Sequence, residues 1–156
     1  MKINWKLLVL CIAIPLAAGV LASLLTGGGM EIFENVNQPP LSPPAWLFPV
    51  VWTLLYTLMG ISSYLILTSE AEAEEMRNAI SVYAYQLAVN FLWPTFFFNF
   101  RWFFFSFLWL LLLIVLAARM IRDFYRLSKP AAFLNIPYFF WLIFAGYLNF
   151  TIWWLN

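Results

Sequence analysis

Histidine is absent from this chain of 156 residues, and cysteine occurs once, at Cys11. The first absence removes the commonest metal and haem ligand and the side chain that titrates nearest neutral pH. No Ser/His/Asp, Cys/His or zinc-type set can then be assembled, so hydrolytic and metal-dependent chemistry are not expected. A lone cysteine has no internal disulfide partner. Cys11 sits inside the first apolar run behind bulky Leu10, and reads as inert packing rather than a lipidation site. Charge is scarce as well. Only 10% of residues are Asp, Glu, Lys or Arg, and none falls at the centre of an apolar run. Charge at membrane depth is the usual mark of proton relays and ion pathways, so its absence argues against an ion-coupled pump.

What the chain has is apolar surface. Hydrophobic residues make up 65% of it and the mean hydropathy is +0.87. A soluble domain cannot hide that much, so the solvent is lipid. Crossing a bilayer as a helix takes roughly 20 apolar residues, and five stretches qualify: 5–25, 45–68, 79–98, 103–120 and 132–155. Barrel strands would be shorter and would alternate polar with apolar residues. The reading is an all-α membrane protein, with residues 1–156 forming a single bundle of five transmembrane helices and no separate soluble domain. Lys2 and Lys6 before the first run also fit a signal peptide. That run continues to Leu25, however, with Ala17, Ala18, Gly19 and Ala22 inside it, so a retained helix is expected.

Positive charge orients such a bundle. Lys2, Lys6, Arg77, Arg119, Arg122, Arg126 and Lys129 fall on one side, and Arg101 alone on the other. This predicts a cytoplasmic N-terminus, with the first loop and the C-terminus outside, in a membrane expected to be a prokaryotic inner (cytoplasmic) membrane. Glu70, Glu72, Glu74 and Glu75 weigh little in the rule and read as a solvated helix start.

The most distinctive stretch is 39–60. Pro39, Pro40, Pro43 and Pro44 lead straight into an apolar helix carrying Trp46, Trp52 and Tyr56. So stiff a loop above membrane-depth aromatics reads as a pre-shaped lid over a flat hydrophobic ligand. Helical spacing places Pro49, Trp52 or Thr53, Tyr56 and Gly60 on one face of the second span. Gln86, Asn90, Trp93 and Phe97 share a face of the third, as do Trp141, Ala145, Leu148 or Asn149, and Ile152 of the fifth. Three helices therefore aim amides, hydroxyls and indoles at one level beneath the loop. Buried Asn and Gln also serve simply to hold helices together. Trp5, Trp46, Trp102, Trp153 and Trp154 suit interface anchors, whereas Trp52, Trp93 and Trp141 lie deeper than a belt requires and read as pocket lining. The fourth span offers only Ser106 as an aliphatic polar group and reads as lipid-facing.

These residues make the chain resemble the TspO/MBR family of tryptophan-rich sensory and translocator proteins, over essentially its full length. The resemblance is carried by Pro39, Pro43-Pro44-x-Trp46 and Pro49-x-x-Trp52-Thr53-x-x-Tyr56-x-x-Met59-Gly60. It continues as Gln86-Leu87-x-x-Asn90-x-x-Trp93-Pro94-x-x-Phe97-Phe98 and Pro137-Tyr138-x-x-Trp141-x-x-x-Ala145-x-x-Leu148-Asn149. It implies a five-helix bundle, a homodimer, and a cavity closed by the first loop. The implied ligands are tetrapyrroles, protoporphyrin IX or haem-like, with benzodiazepine-type and isoquinoline compounds and in some members cholesterol. The binding set then comprises Trp46, Pro49, Trp52, Thr53, Tyr56, Gln86, Asn90, Trp93, Phe97, Trp141, Ala145, Leu148 and Asn149. No cofactor is required, porphyrin being a ligand; membrane lipid is a partner and nucleic acid is not.

The resemblance implies three functions. The first is a membrane receptor for such ligands in stress sensing or porphyrin regulation. The second is a light-dependent porphyrin-degrading enzyme, for which Trp52 and Trp141 match the two tryptophans involved in certain bacterial members. The third is a tetrapyrrole or lipid transporter. The chain departs from the family pattern at Ile32-Phe33 and at Gln38-Pro39-Pro40-Leu41, where members often carry Trp-Tyr and Lys-Pro-x-Trp. Residues 149–156 also lack the Tyr and basic residue of the weak cholesterol-recognition pattern, which lowers the expectation of sterol binding. Ala18 with Ala22, and Ala84 with Ala88, form small-xxx-small steps of the kind found at packed membrane-helix interfaces.

Overall fold

The computed structural model describes residues 3–27 and 29–156; Lys2, counted above among the basic residues, lies outside them. The described residues are predominantly helical, and none of them is in a strand. They form α1 (Trp5–Leu25), α2 (Met30–Asn35), α3 (Leu47–Leu67), α4 (Ala73–Pro94) with a π-helical segment Thr95–Asn99, α5 (Phe103–Leu127), α6 (Lys129–Phe133) and α7 (Ile136–Leu155). Four stretches, α1, α3, α5 and the α6–α7 run, are long and apolar enough to cross a membrane. The chain is an integral membrane protein.

Where expected and observed bounds differ, polarity explains it. The helix α4 starts at Ala73, ahead of the apolar run, because Glu74, Glu75 and Arg77 are good helix formers. Apolar length measures what lipid can cover, not where a helix begins. The helix α5 runs on to Leu127 through Arg119 and Asp123, paired at 3.6 Å one turn apart. The last run is broken instead. Helix α6 ends at Phe133, and α7 restarts after Asn135 with Pro137 in its first turn, where a missing N–H costs nothing.

The bundle has two ends. At the lid end lie the first loop, the π-helical segment and the last turn of α7. At the basic end the helices close tightly. A Cβ on Gly60 would sit 2.7 Å from the Cys11 carbonyl oxygen, so α3 and α1 meet there backbone to backbone. The Ser62 hydroxyl donates to the Ala131 carbonyl at 2.8 Å, and the Asn135 amide donates to Ser62 at 2.6 Å and to Ala131 at 2.9 Å. Two of these buried hydrogen bonds fasten the α6–α7 break to α3 and the third braces the break itself, each contributing about 1 kcal/mol.

The expectation of a lipid-facing fourth span is corrected. One stripe of α5, Ser106, Leu110, Leu113, Ala117, Met120 and Phe124, is buried against α4 and α7. Trp109 is also packed, its indole N–H donating to the Val89 carbonyl at 2.8 Å. In lipid, the face that meets a neighbour and the face that meets acyl chains use the same apolar residues, so composition did not separate them.

Candidate ligand cavity

At the lid end α1, α3, α4 and α7 splay around a cavity of about 330 Å³. Pro49, in the first turn of α3, joins Trp52, Thr53 and Tyr56 in the lining at helical intervals. Asn90, Trp93 and Phe97 come from α4 and its π-helical extension. Trp141, Ala145, Leu148 and Asn149 complete it from α7. Eleven of the thirteen residues proposed from sequence therefore meet around one space. The π-helical segment after Pro94 widens the last turn, so that adjacent Phe97 and Phe98 both turn inward and are buried.

The remaining two lie elsewhere. Trp46 is 66% exposed at the start of α3, away from the lining. Gln86 is buried behind the cavity, where it accepts from the Tyr138 hydroxyl at 2.8 Å and points its amide at the Met59 sulfur, 3.8 Å away. Tyr138 is the link that helical periodicity missed, although it stood within the quoted span-five motif. The Asn90 amide donates to its oxygen at 2.9 Å, and the Tyr56 hydroxyl donates to Asn90 at 2.8 Å. A continuous polar chain, Tyr56–Asn90–Tyr138–Gln86, thus forms a layer behind the aromatic wall and ties α3, α4 and α7 together.

The wall itself is aromatic. Trp52 lies 5.3 Å from Tyr56 and edge-on to Tyr138 at 6.2 Å, between ring centroids. Trp93 stacks on Phe97 at 5.1 Å, and Phe48 meets Trp141 at 5.9 Å. Most polar groups here are already engaged. The Trp93 indole donates to Asn149 at 3.1 Å, and the Asn149 amide donates to the Phe103 carbonyl at 2.8 Å. The Thr53 hydroxyl donates to the Pro49 carbonyl at 2.7 Å. Trp141 is different. Its buried indole N–H has no hydrogen-bond partner among the described residues, while the residue itself lines the cavity.

Sequence comparison identifies the family. The model of the TspO/MBR family matches residues 11–155. The chain belongs to the TspO/MBR family. It is 35% identical over 150 residues to the tryptophan-rich protein TspO of Chlorobaculum tepidum, covering 96% of this chain and 95% of the relative. To the translocator protein of Bos taurus it is 36% identical over 142 residues, covering 90% and 84%. To the tryptophan-rich sensory protein of Cereibacter sphaeroides it is 31% identical over 156 residues, covering 100% and 95%.

In this TspO/MBR chain α1 also lines the cavity, through Leu16, Gly19, Val20 and Ser23, which sequence reasoning did not assign to it. The signal was present in the small residues of that span. A Cβ on Gly19 would collide with the Tyr56 ring, so glycine lets Tyr56 pack directly against α1. Val20, Pro49 and Thr53 line the cavity and are also exposed, so it opens sideways between α1 and α3.

The stiff loop needs a correction too. The roof is made by Phe33 of α2 and by Phe48, 5.0 Å apart, and not by the prolines. Residues 37–44 act as a strap across the end of α7. Asn37 donates its backbone N–H to the Asn156 side chain at 3.0 Å, and the Asn156 amide returns a bond to the Asn37 carbonyl at 3.1 Å. The Tyr147 hydroxyl donates to the Pro40 carbonyl at 2.9 Å, and the Gln38 amide to the Phe33 carbonyl at 2.7 Å. The prolines stiffen the strap that holds the roof.

Proposed function

We propose that this TspO/MBR protein is a membrane receptor that holds a flat lipophilic molecule, a tetrapyrrole or an aromatic of similar size, in the cavity under α2. The observation that carries the reading is the unpartnered Trp141 N–H in the wall of an aromatic space. A buried donor left unmet costs about 1–3 kcal/mol, a penalty that a ligand acceptor would remove. The volume falls in the range of small-molecule pockets, and indole and phenol faces suit a planar ring system. The sideways opening gives a molecule dissolved in lipid a route inward. The protein spans the membrane five times in this reading, α4 being the fifth crossing despite its polar first turns. Its N-terminus is in the cytoplasm, following the charge bias. Ala84 and Ala88, exposed on α4, support a homodimer through that face.

Titrating protoporphyrin IX into the protein in nanodiscs should quench tryptophan fluorescence saturably, and Trp52→Phe or Trp141→Phe should weaken the quench. Unsaturable quenching, indifferent to both substitutions, counts against the receptor.

A second reading has its own observation. Trp52 and Trp141, the residues the family resemblance links to light-dependent porphyrin degradation, line the same cavity. Two electron-rich indoles beside a photoexcited macrocycle can donate an electron without acid, base or metal. Illumination should then bleach bound protoporphyrin faster than free compound in the same lipid. Equal bleaching, or bleaching unchanged in the Trp52→Phe/Trp141→Phe double variant, would remove this reading and leave the receptor standing.

A further inference from the structure

We propose that the outer face of α5 at the basic end docks one anionic glycerophospholipid, its phosphate held by Arg122 and Arg126 and its acyl chains laid along the helix. No residue of α5 lines the cavity, so this face is a separate surface. Arg119, Arg122 and Arg126 recur at three and four, and so share a face. At 3.6 residues per turn that face points away from the buried stripe of Ala117, Met120 and Phe124. All three arginines are exposed. Lys129 joins them from α6, because the chain leaves helical geometry at Ser128 and sets the Lys129 ammonium 5.6 Å over the Tyr125 ring. Of these four bases only Arg119 has a carboxylate partner, Asp123 at 3.6 Å. Arg122, Arg126 and Lys129 form no ion pair among the described residues, and Glu70, Glu72, Glu74 and Glu75 reach none of them within ion-pair distance.

The same face continues as apolar surface toward the lid end. Leu108, Leu111, Leu112 and Val115 are exposed in register with the arginines, a stripe about 10 Å long. An apolar stripe that ends in unpaired guanidiniums matches a lipid molecule from chain to headgroup. An acidic peptide or a soluble anion would meet the charges and leave the leucines uncovered. Zwitterionic lipid would cover the leucines but bring its own ammonium to the arginines, so an anionic headgroup alone leaves net attraction. The planar guanidinium binds a phosphate through two N–H groups at once. Arg122 and Arg126 stand one turn, about 6 Å, apart along the axis, close enough to share one headgroup. Tyr125 and Phe133, both exposed and edge to face at 6.1 Å, flank it as interface anchors.

The test places the full chain in nanodiscs of equal parts phosphatidylcholine and phosphatidylglycerol. Lipids that stay bound after gentle release into detergent are counted by native mass spectrometry. The wild type should retain phosphatidylglycerol in preference to phosphatidylcholine. Arg122→Gln/Arg126→Gln should lower that preference about ten- to thirty-fold. Lys6→Gln/Arg77→Gln, which removes the same charge from exposed positions at the same end, should leave it within about two-fold. Added inorganic phosphate should not displace the retained lipid, since it offers nothing to the leucine stripe. Equal retention of the two lipids by the wild type overturns the proposal. So does an equal drop in both variants, which would assign the effect to net charge and not to this face. Displacement by inorganic phosphate overturns the lipid as occupant. A changed oligomeric state in Arg122→Gln/Arg126→Gln, with lipid retention intact, gives the face to a second copy and overturns it as well.

Discussion

The two ends of this bundle are built from the same helices and solve opposite problems. At the basic end Gly60 brings α3 onto the backbone of α1, and Ser62, Ala131 and Asn135 lock α3 to the start of α7. Met59, Ala117, Met120 and Phe124 are fully buried there. About two turns along α3, at the lid end, Trp52 and Phe48 stand between the same helices and hold them apart around an open space. Lipid offers no hydrophobic drive for helix association, so packing and hydrogen bonds decide how close helices come. Small residues draw them together, and large aromatics that lean on one another prop them open. The layer Tyr56–Asn90–Tyr138–Gln86 divides the two regimes, and its hydrogen bonds let the upper half stay hollow without the lower half loosening.

That contrast can be broken in graded steps. Gly60→Val should have the largest effect, a loss of about 3 kcal/mol or failure to fold, because the clash is with backbone that cannot turn aside. A thermal melt in detergent little different from wild type would show that the helices are not locked at this point. Tyr138→Phe comes next. It strips Gln86 of a donor and Asn90 of an acceptor, and should cost about 2 kcal/mol in the same melt. A loss no larger than that of an exposed Tyr85→Phe control would deny the dividing layer its role.

Gly19→Ala acts at the hollow end. The added methyl meets only the Tyr56 ring, which can tilt into the cavity, so stability should fall by about 1 kcal/mol or less while protoporphyrin affinity drops. Lost stability with full binding would reverse the assignment. Trp141→Phe should be the mildest, within about 0.5 kcal/mol of wild type, since its N–H bonds nothing in the empty protein. A substantial loss of stability would mean that the N–H is already satisfied and is not waiting for a ligand.

Much of this arrangement could be read before the structure, for identifiable reasons. Apolar runs marked the long helices, with α1 at the expected bounds. Three-and-four spacing gathered Trp52, Tyr56, Asn90, Trp93, Trp141 and Asn149, because amides and indoles at membrane depth must face something other than acyl chains. The inward stripe of α5 escaped, since Leu110 and Leu113 look the same whether they face lipid or protein. The contribution of α1 escaped because a glycine lines a wall by what it leaves out. Gln86 shares a helix face with Asn90 but sits one turn deeper, at the far end of the polar layer and off the cavity wall, a distance that periodicity does not measure. Trp46 carries the same indole as Trp52, yet lies at the start of α3, beyond the cavity wall.

The strap has one more consequence. Asn37 and Asn156 are 119 positions apart in the chain and bonded to each other from both sides, which closes the polypeptide into something near a ring. The Asn156 amide also bonds the Ile152 carbonyl, and Ile152 touches the cavity. Lifting the roof and fraying the last turn of α7 are therefore a single opening event. The backbone amides of Asn37 and Asn156 should exchange with deuterium at one shared rate, and a bound molecule should slow both together.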